Sequence, residues 1–385
     1  MSGYGTVWAE INLDNLKDNL NLVRKQVDFK TKILAIVKAD AYGHGLCEIS
    51  QKLYNEGVDY FGVASINEGI ELINCGMSVS ILVLNTVLPE ELQDLLEAGL
   101  IPTINGLSLA EIANAYGKSK NRRMKIHIRV DTSAEGEGMP HKECPDFLMR
   151  LSEMEGIEVE GIYTHLVSAY GPEDELVHSQ LNNFKAIIDF ANEHCIQIPC
   201  IHAASSPAIF GYSESHFNMV RAGTVLYGMP FIKDDIFVSL IKPVMQVKSR
   251  VACIKEFSDG FCFGYGVKYS RQKNLRIAHV SIGYADAFFL LGADKLKVLI
   301  GGRFVSVYGK AGMDHIKLDI SEKEMDDIKT GDEVVIFGTQ QDESIGAFYV
   351  AQACGISKVN CESICFLGKR VKRIFIENGK IIDSE

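Results

Sequence analysis

The stretch that decides the fold reads LAIVKADAYGHG and occupies residues 34–45. Its first four residues are apolar, and a strand without polar alternation is typical of a parallel sheet that is covered on both faces. Lys38 follows that strand at its carboxyl end, where α/β barrels carry their chemistry. A lysine that is partly desolvated there offers its amine for a Schiff base. A strand-end lysine that simply reaches solvent is the structural alternative.

Apolar runs and amphipathic helical segments alternate over the first 240 residues, and many of the helical segments end at a glycine. Eight strands are predicted, over residues 33–38, 60–65, 81–85, 101–105, 125–130, 159–165, 200–204 and 219–223. Eight parallel strands joined by right-handed crossovers close into a barrel. An open doubly wound sheet is the alternative, but no G-x-G-x-x-G pattern follows the first strand.

Beyond residue 240 the pattern becomes rich in short β segments, and the pairs Asp259-Gly260 and Gly301-Gly302 predict hairpins. We therefore predict an α/β protein with a (β/α)8 TIM barrel over residues 1–240. A mostly antiparallel β domain follows over residues 241–385. A lead-in strand over residues 6–13 is a candidate to pack on this second domain.

Composition restricts the partners. The chain has 385 residues, a formal net charge of −11 and only short basic runs, which argues against nucleic acid and anionic membranes. No apolar run reaches membrane-spanning length. The ten cysteines are scattered singly and no leader pattern begins the sequence, so we expect reduced thiols and a cytoplasmic location. A metal or thiol site around Cys195, Cys200 and His202 is a weak alternative, because no second ligand pair follows at usable spacing.

Polar side chains gather at the predicted carboxyl ends of the barrel strands. They are Lys38 and Tyr42 after strand one, Arg129 and Asp131 at strand five, Tyr163 and His165 at strand six, Ser205 and Ser206 after strand seven, and Arg221, Gly223 and Thr224 at strand eight. The loops after strands seven and eight of such barrels commonly bind phosphate, a role that fits Ser206, Gly223 and Thr224. A strand-end lysine beside a phosphate site indicates pyridoxal 5'-phosphate (PLP), so we predict that the barrel over residues 1–240 is PLP-binding.

The motif KADAYGHG at residues 38–45 resembles the cofactor-lysine motif of the alanine racemase family, in which the third residue is usually asparagine. Further matching segments follow in the same order, at residues 127–132, 163–165, 219–221, 282–286 and 312–314. The likeness runs nearly end to end, and the family fold, a barrel followed by a β domain, agrees with the pattern described above.

The resemblance implies a role for each matching residue. Lys38 binds PLP covalently and is one of two proton-transfer bases. The other base is Tyr284 of the partner subunit. This arrangement requires a homodimer with shared sites. Arg221 bonds the pyridine nitrogen, His165 supports the Arg221–Tyr284 side, and Met313 lies near the substrate carboxylate. The phosphate ligands are Tyr42, Ser206, Gly223 and Thr224.

The implied chemistry is physically consistent. Racemisation removes a proton from one face of Cα and delivers another to the opposite face, and two bases on opposite sides do this directly. Arg221 cannot protonate the pyridine nitrogen, because a guanidinium holds its own proton at every working pH. The cofactor is then a weaker electron sink, which suits proton exchange better than bond cleavage. A decarboxylase of related fold would be expected to place a carboxylate there.

The sequence departs from the family pattern in the loop after strand five. The family usually has lysine at position 129 and a carboxylate-clamping arginine at position 136, whereas this chain has Arg129 and Gly136. Arg129 is therefore the candidate ligand of the substrate carboxylate or of the cofactor phenolate. Glu135 and Glu137 make the loop acidic, and the phosphate-binding tyrosine of the family is replaced by Cys361.

These departures leave alternatives to an alanine racemase. Glu135 and Glu137 fit a racemase or epimerase of a basic amino acid such as lysine, ornithine or arginine, although a solvated loop is the simpler explanation. A PLP-dependent lyase on an amino compound and a non-catalytic PLP-binding protein are further alternatives. Tyr284 and the β domain argue against the last, because cofactor storage needs neither. A metal-dependent barrel hydrolase lacks the required paired-histidine strand motif.

Overall fold

The computed structural model describes residues 5–133, 136–167, 169, 174–229, 239–257, 275–355, 365 and 367–384. The chain divides into two compact units. The barrel unit comprises Lys17–Ala41 and Gly45–Lys242, and the β unit comprises the residues up to Leu16, Tyr42–His44 and the residues from Pro243 onward. The functional division into residues 1–240 and 241–385 stays a prediction.

The first half of the chain alternates strands and helices. In chain order these are β1 (Val7–Asn12), α1 (Leu13–Gln26), β2 (Lys32–Ile36), α2 (Lys38–Gly43), α3 (Leu46–Asn55), β3 (Tyr60–Val63), α4 (Ile66–Asn74), β4 (Ser80–Thr86), α5 (Leu92–Glu97), β5 (Ile101–Ile104), α6 (Leu107–Ser119), β6 (Met124–Asp131), β7 (Met139–Pro140), α7 (Cys144–Ser152), β8 (Ile157–Thr164), α8 (Glu175–Glu193), β9 (Cys200–His202), α9 (Ser206–Gly211) and β10 (Met219–Ala222).

Eight of these strands form the closed parallel barrel of the barrel unit, in the order β2, β3, β4, β5, β6, β8, β9, β10, with β10 pairing back onto β2. The predicted TIM barrel is confirmed, and every predicted barrel strand overlaps an observed one. The two-residue strand β7 pairs in parallel with the last two residues of β6. Residues 33–37 are all buried, as expected for a strand that is covered by apolar side chains on both faces.

The second half of the chain is rich in strands. It contains β11 (Met245–Phe257), β12 (Leu275–Val280), β13 (Lys297–Ile300), β14 (Arg303–Ser306), β15 (Ile316–Asp319), β16 (Glu333–Gln340), β17 (Glu343–Ile345), the helix α10 (Ala347–Ala353), β18 (Lys372–Glu377) and β19 (Lys380–Ser384). Short 3-10 helices cover Ser213–Ser215, Phe288–Lys295 and Lys323–Met325.

The main sheet of the β unit runs in the order β14, β13, β16, β11, β1, β18, β19, with β12 beside β11 and β15 beside β12. All of these pairs are antiparallel except β1 with β18, so the predicted mostly antiparallel domain is confirmed. The lead-in strand packs here, as β1. Gly301 and Gly302 have positive φ and join β13 to β14, as predicted. Asp259-Gly260 lies outside the described residues.

One cysteine pair departs from the sequence prediction. Cys47 of α3 and Cys75, which follows α4, form a disulfide with a Cα–Cα distance of 5.8 Å. The prediction of reduced thiols is therefore wrong for this pair, because the two residues are 28 positions apart and only the packing of α3 near α4 brings them together. Among the helices that the structure describes, none has the length and apolar character of a membrane span.

Candidate active site

Lys38 opens a left-handed helix. Residues 39–42 have φ values of 50–56° although none of them is glycine, and Gly43 follows with a φ of 79°. A left-handed conformation costs an L-residue roughly 1–2 kcal/mol because Cβ approaches the carbonyl oxygen. Such strain persists where the surrounding structure over-determines it, and it is concentrated at functional sites. The sequence predicts a loop here and gives no sign of this handedness.

Backbone and side-chain contacts hold this turn. Ala41 N–H donates to the carbonyl of Val37 at 2.9 Å, and Gly45 N–H donates to the carbonyl of Asp40 at 3.1 Å. The Asp40 carboxylate accepts from Leu46 N–H at 2.9 Å, at the first residue of α3. The turn is therefore bonded to β2 before it and to α3 after it. The Lys38 side chain is half-buried at the carboxyl end of β2.

Tyr42 belongs to the short segment grouped with the β unit. Its carbonyl lies 2.9 Å from His44 Nδ1, and the next carbonyl, that of Gly43, accepts from Arg373 Nε at 3.2 Å. These contacts fix the backbone beside Tyr42. The role of the Tyr42 hydroxyl in phosphate binding stays a prediction.

Arg221 is a buried cation at the end of β10. Its guanidinium donates to the carbonyls of Thr164, Ala203 and His202 at 2.9, 3.0 and 3.2 Å. It also lies 3.3 Å from His202 Nδ1 and 3.4 Å from His165 Nδ1. The carboxyl ends of β8, β9 and β10 thus converge on one group that stays charged at every working pH.

Aromatic rings support Arg221 from inside the barrel. Tyr163 stacks on His202 with ring centroids 4.8 Å apart, and the guanidinium lies 5.4 Å from the Tyr163 ring. His127 Nδ1 lies 3.1 Å from His202 Nε2. Gly161 makes room for this histidine, since a Cβ at position 161 would come within 2.6 Å of three His127 ring atoms. The hypothesis of a metal or thiol site at His202 therefore finds no support, because its two ring nitrogens lie against His127 and Arg221.

Burial sets the protonation of this interior pair. Desolvation, together with the charge of Arg221, lowers the pKa of His202 well below its usual value. Desolvation also lowers the pKa of His127, although the Glu160 carboxylate lies 3.5 Å from its Nε2. Glu160 bonds Lys125 at 2.5 Å instead. Both histidines are therefore neutral at physiological pH, and His202 contacts Arg221 without adding charge.

His165 lies at the mouth of the barrel, one residue beyond β8. Desolvation and the positive charges of Arg221, Arg129 and Lys38 lower the pKa of His165 to about 3. The side chain also reaches solvent at the mouth of the barrel. The imidazole is therefore neutral and accepts a hydrogen bond from Arg221.

Ser206 begins α9, and its buried hydroxyl oxygen accepts from the N–H groups of Gly223 at 3.0 Å and Val225 at 3.3 Å. These bonds join the loop after β9 to the loop after β10 and leave the hydroxyl proton available for donation. Thr224 lies between the two bonded residues and is half-buried. Phosphate binding by Ser206, Gly223 and Thr224 stays a prediction.

The loop after β6 is organised by carboxylates. Asp131 accepts the N–H groups of Ser133 and Gly136 at 3.0 and 2.7 Å, which folds the loop back on itself. Glu137 forms an ion pair with Arg129. The sequence leaves Glu137 open as a contact for a basic substrate or as part of a solvated loop, whereas the structure pairs it with Arg129. Glu135 lies outside the described residues, as does Cys361.

The β unit holds Tyr284 and Met313 in one turn. Tyr284 N–H donates to the carbonyl of Gly312, and Ala285 N–H donates to the carbonyl of Met313, both at 3.0 Å. Gly283 allows this approach, because a Cβ there would lie 2.2 Å from the Met313 oxygen. The Tyr284 ring is half-buried, and the Met313 side chain is 52% exposed.

The barrel mouth fits PLP by the chemistry of its donors. Arg221 offers N–H groups to a ring nitrogen, Ser206 and the 223–225 backbone form a buried hydroxyl–amide pocket, and Lys38 supplies an amine on the same rim. No cluster that could hold a metal ion occurs among the residues described. The structure thus brings the barrel-borne candidates together, and Tyr284 and Met313 form a second group in the β unit.

Sequence reasoning missed Glu68, which contacts the Lys38 turn. Its only local signal is the S-x-x-E pattern of residues 65–68, which predicts a capped helix start. That capping box is present in the structure. The additional contact with the Lys38 turn depends on the pairing of β3 with β2, which brings the start of α4 beside Ala39, and it had no signal in the sequence.

A closed parallel barrel with a lysine and a fixed cation at its strand ends, followed by an antiparallel β unit, defines a class of two-unit α/β barrel proteins. Two family models match the chain. The model "Alanine racemase, N-terminal domain" matches residues 11–230, and the model "Alanine racemase, C-terminal domain" matches residues 244–375. The chain belongs to the alanine racemase family.

Individual relatives agree with this assignment. An alanine racemase of Halothermothrix orenii is 34% identical over 366 residues, which cover 95% of this chain and 96% of that protein. The solved alanine racemase of Clostridium difficile 630 has a TM-score of 0.92 and 35% identity and covers 100% of this chain and 99% of that one. The alanine racemase of Bartonella henselae, solved with covalently bound pyridoxal phosphate, has a TM-score of 0.85 and 28% identity. The match covers 97% of this chain and 100% of that one.

Proposed function

We propose that this protein is a cytoplasmic, PLP-dependent alanine racemase. The observation that carries the proposal is the placement of Lys38 and Arg221 on one barrel rim, with neutral imidazoles around the cation. The names of its full-length relatives favour alanine as the substrate over the basic amino acids considered from the sequence. The pairing of Glu137 with Arg129 supports the same choice, because it gives that carboxylate a partner within the chain.

PLP, when bound, supplies an electron-withdrawing ring that acidifies the Cα proton of an amino acid. The residues of this chain determine how that ring is used. Arg221 keeps its proton and donates a hydrogen bond to the ring nitrogen. Ser206, Gly223, Thr224 and Tyr42 bind the phosphate.

Proton transfer falls to two side chains. We assign Lys38 as the base on one face of Cα and Tyr284 of the partner subunit as the base on the other. His165 accepts from Arg221 and orients the guanidinium toward the cofactor. Arg129 binds the substrate carboxylate, together with Met313 from the same turn as the catalytic Tyr284. Because each site then takes residues from two chains, the active species is a homodimer.

Borohydride trapping combined with deuterium exchange tests the activity. Reduction of the PLP-loaded protein followed by peptide mapping should place the label on Lys38. Alanine in deuterated water should lose its Cα proton and racemise faster than lysine, ornithine or arginine. A label on another residue, or a faster reaction with the basic amino acids, would refute the proposal in this form.

Subunit complementation tests the shared site. Lys38→Ala and Tyr284→Phe homodimers should both be inactive, whereas the heterodimer regains one intact site. Random mixing should therefore restore about a quarter of the wild-type activity, since half of the dimers are mixed and each carries one working site. No recovery, with heterodimers demonstrated by differential tagging, would place Tyr284 in the same chain's site or outside the chemistry.

A further inference from the structure

Glu68 receives hydrogen bonds from two neighbouring loops at the barrel mouth. Its Oε1 accepts the N–H of Ala39 at 2.7 Å. Its Oε2 accepts the N–H groups of Ala64 at 2.7 Å and Ser65 at 3.3 Å. One carboxylate thus joins the start of α4, which follows β3, to the residue directly after Lys38.

The second contact goes beyond helix capping. In a capping box the N-terminal hydroxyl accepts from the glutamate N–H, and the glutamate accepts from the cap N–H. Ser65 and Glu68 make this exchange here. The bond to Ala39 adds nothing to α4, because it is directed at a different segment of the chain.

The bond to Ala39 falls where the backbone becomes left-handed. Ala39 is the first of the four left-handed residues, with a φ of 55°. The first N–H groups of any helix lack a partner within that helix, so an outside acceptor is required to fix the orientation of the first turn. A carboxylate is a strong acceptor for such a group, because a hydrogen bond to an ionised oxygen is stronger than one to a neutral oxygen.

We propose that Glu68 is a positioning residue that holds the left-handed turn and thereby fixes the direction in which the Lys38 amine points. The inference rests on the proposed function, because it concerns the access of that amine to the PLP aldehyde. Glu68 touches only backbone N–H groups in these contacts, so its effect is exerted through Lys38 and not on the reacting atoms.

Glu68→Gln is the decisive variant. A carboxamide has one acceptor oxygen and one donor NH2 group. Its oxygen can accept the N–H of Ala39 or the N–H groups of Ala64 and Ser65, and its NH2 group then faces the remaining N–H donors and cannot bond them. Ser65→Ala is the matched control, since it removes the hydroxyl of the capping box and leaves the bond between Glu68 and Ala39. Glu71→Gln, at an exposed site on α4, controls for the loss of charge.

The readout is the rate at which PLP-stripped protein captures added PLP on Lys38, quantified by borohydride reduction and peptide mapping. We expect E68Q to slow capture about tenfold or more, the factor expected for the loss of a charge-assisted hydrogen bond. S65A should lower the melting temperature by about 2–4 °C and leave the capture rate unchanged. E71Q should change neither quantity.

Two results would overturn the proposal while leaving the proposed function intact. They are capture by E68Q at the wild-type rate, or equal slowing in S65A. If E68Q does not fold, Glu68→Asp replaces it, because the shorter carboxylate keeps the charge but not the reach to Ala39, and slow capture is again expected. If the wild-type protein carries no label on Lys38, the proposed function fails, and this inference fails with it.

Discussion

Arg370 donates to both carboxylate oxygens of Asp286, from Nε at 2.6 Å and from Nη2 at 3.3 Å. The carboxylate is buried, whereas the Arg370 side chain is half-exposed. The same guanidinium reaches Asp314 at 2.7 Å. Asp286 also accepts the N–H of Gly283 at 2.9 Å, so Arg370 joins the Tyr284 turn to the segment that carries Met313.

Arg370→Gln should therefore destabilise the β unit and impair catalysis together. We expect the free energy of unfolding to fall, because the buried Asp286 carboxylate loses its charged partner while solvent screens part of the effect. Urea denaturation measures the stability, and racemisation kinetics measure kcat. The control is Arg303→Gln, which removes a surface pair with Asp327 in the same unit. Equal losses in both variants would contradict the role given to Asp286.

The pair of Arg129 with Glu137 predicts a change in substrate affinity. If Arg129 binds the alanine carboxylate, Glu137 competes with the substrate for the guanidinium. Glu137→Gln should then lower KM for alanine several-fold, and Arg129→Gln should raise it about tenfold or more. Steady-state kinetics at low and high salt measure both effects.

The exposed Glu143, which follows the same loop, supplies the control for removed charge. Glu143→Gln should leave KM unchanged. An unchanged KM in both Arg129→Gln and Glu137→Gln would instead assign Arg129 to the cofactor or to the loop alone.

The two buried histidines predict a dependence of stability on pH. His127 and His202 have folded pKa values below the ordinary value of about 6.5. Below that pH the unfolded chain binds protons that the folded chain does not, so stability is fully present above about pH 6.5 and falls as the pH falls. Each such histidine contributes a slope of about 1.4 kcal/mol per pH unit.

His127→Gln should flatten this slope by about one proton between pH 7 and pH 5.5. Urea denaturation across that range is the measurement, and the comparison of slopes cancels the absolute stability lost on substitution. The solvent-exposed His194 provides the control variant His194→Gln. Identical slopes for the wild type and His127→Gln would show that the interior histidine titrates in the folded protein.

The sequence predicted the elements of this fold because their signals are local. Strand positions follow from apolar runs, helix ends from glycines, and the hairpin at Gly301-Gly302 from a pair of adjacent residues. The candidate lysine could be found because it directly follows a strand, and the seven crossovers that join eight parallel strands admit few topologies. The family resemblance then supplied roles that the pattern alone left open, such as that of Tyr284.

The sequence by itself determined the barrel, the antiparallel second unit and the family. Only the tertiary structure decided the left-handed turn after Lys38, the bond between Glu68 and Ala39, the neutral pair His127 and His202, and the disulfide of Cys47 with Cys75. Each of these depends on groups that are distant in the chain or on a backbone conformation that local propensity disfavours. Such features exist only when packing has brought their partners within bonding distance.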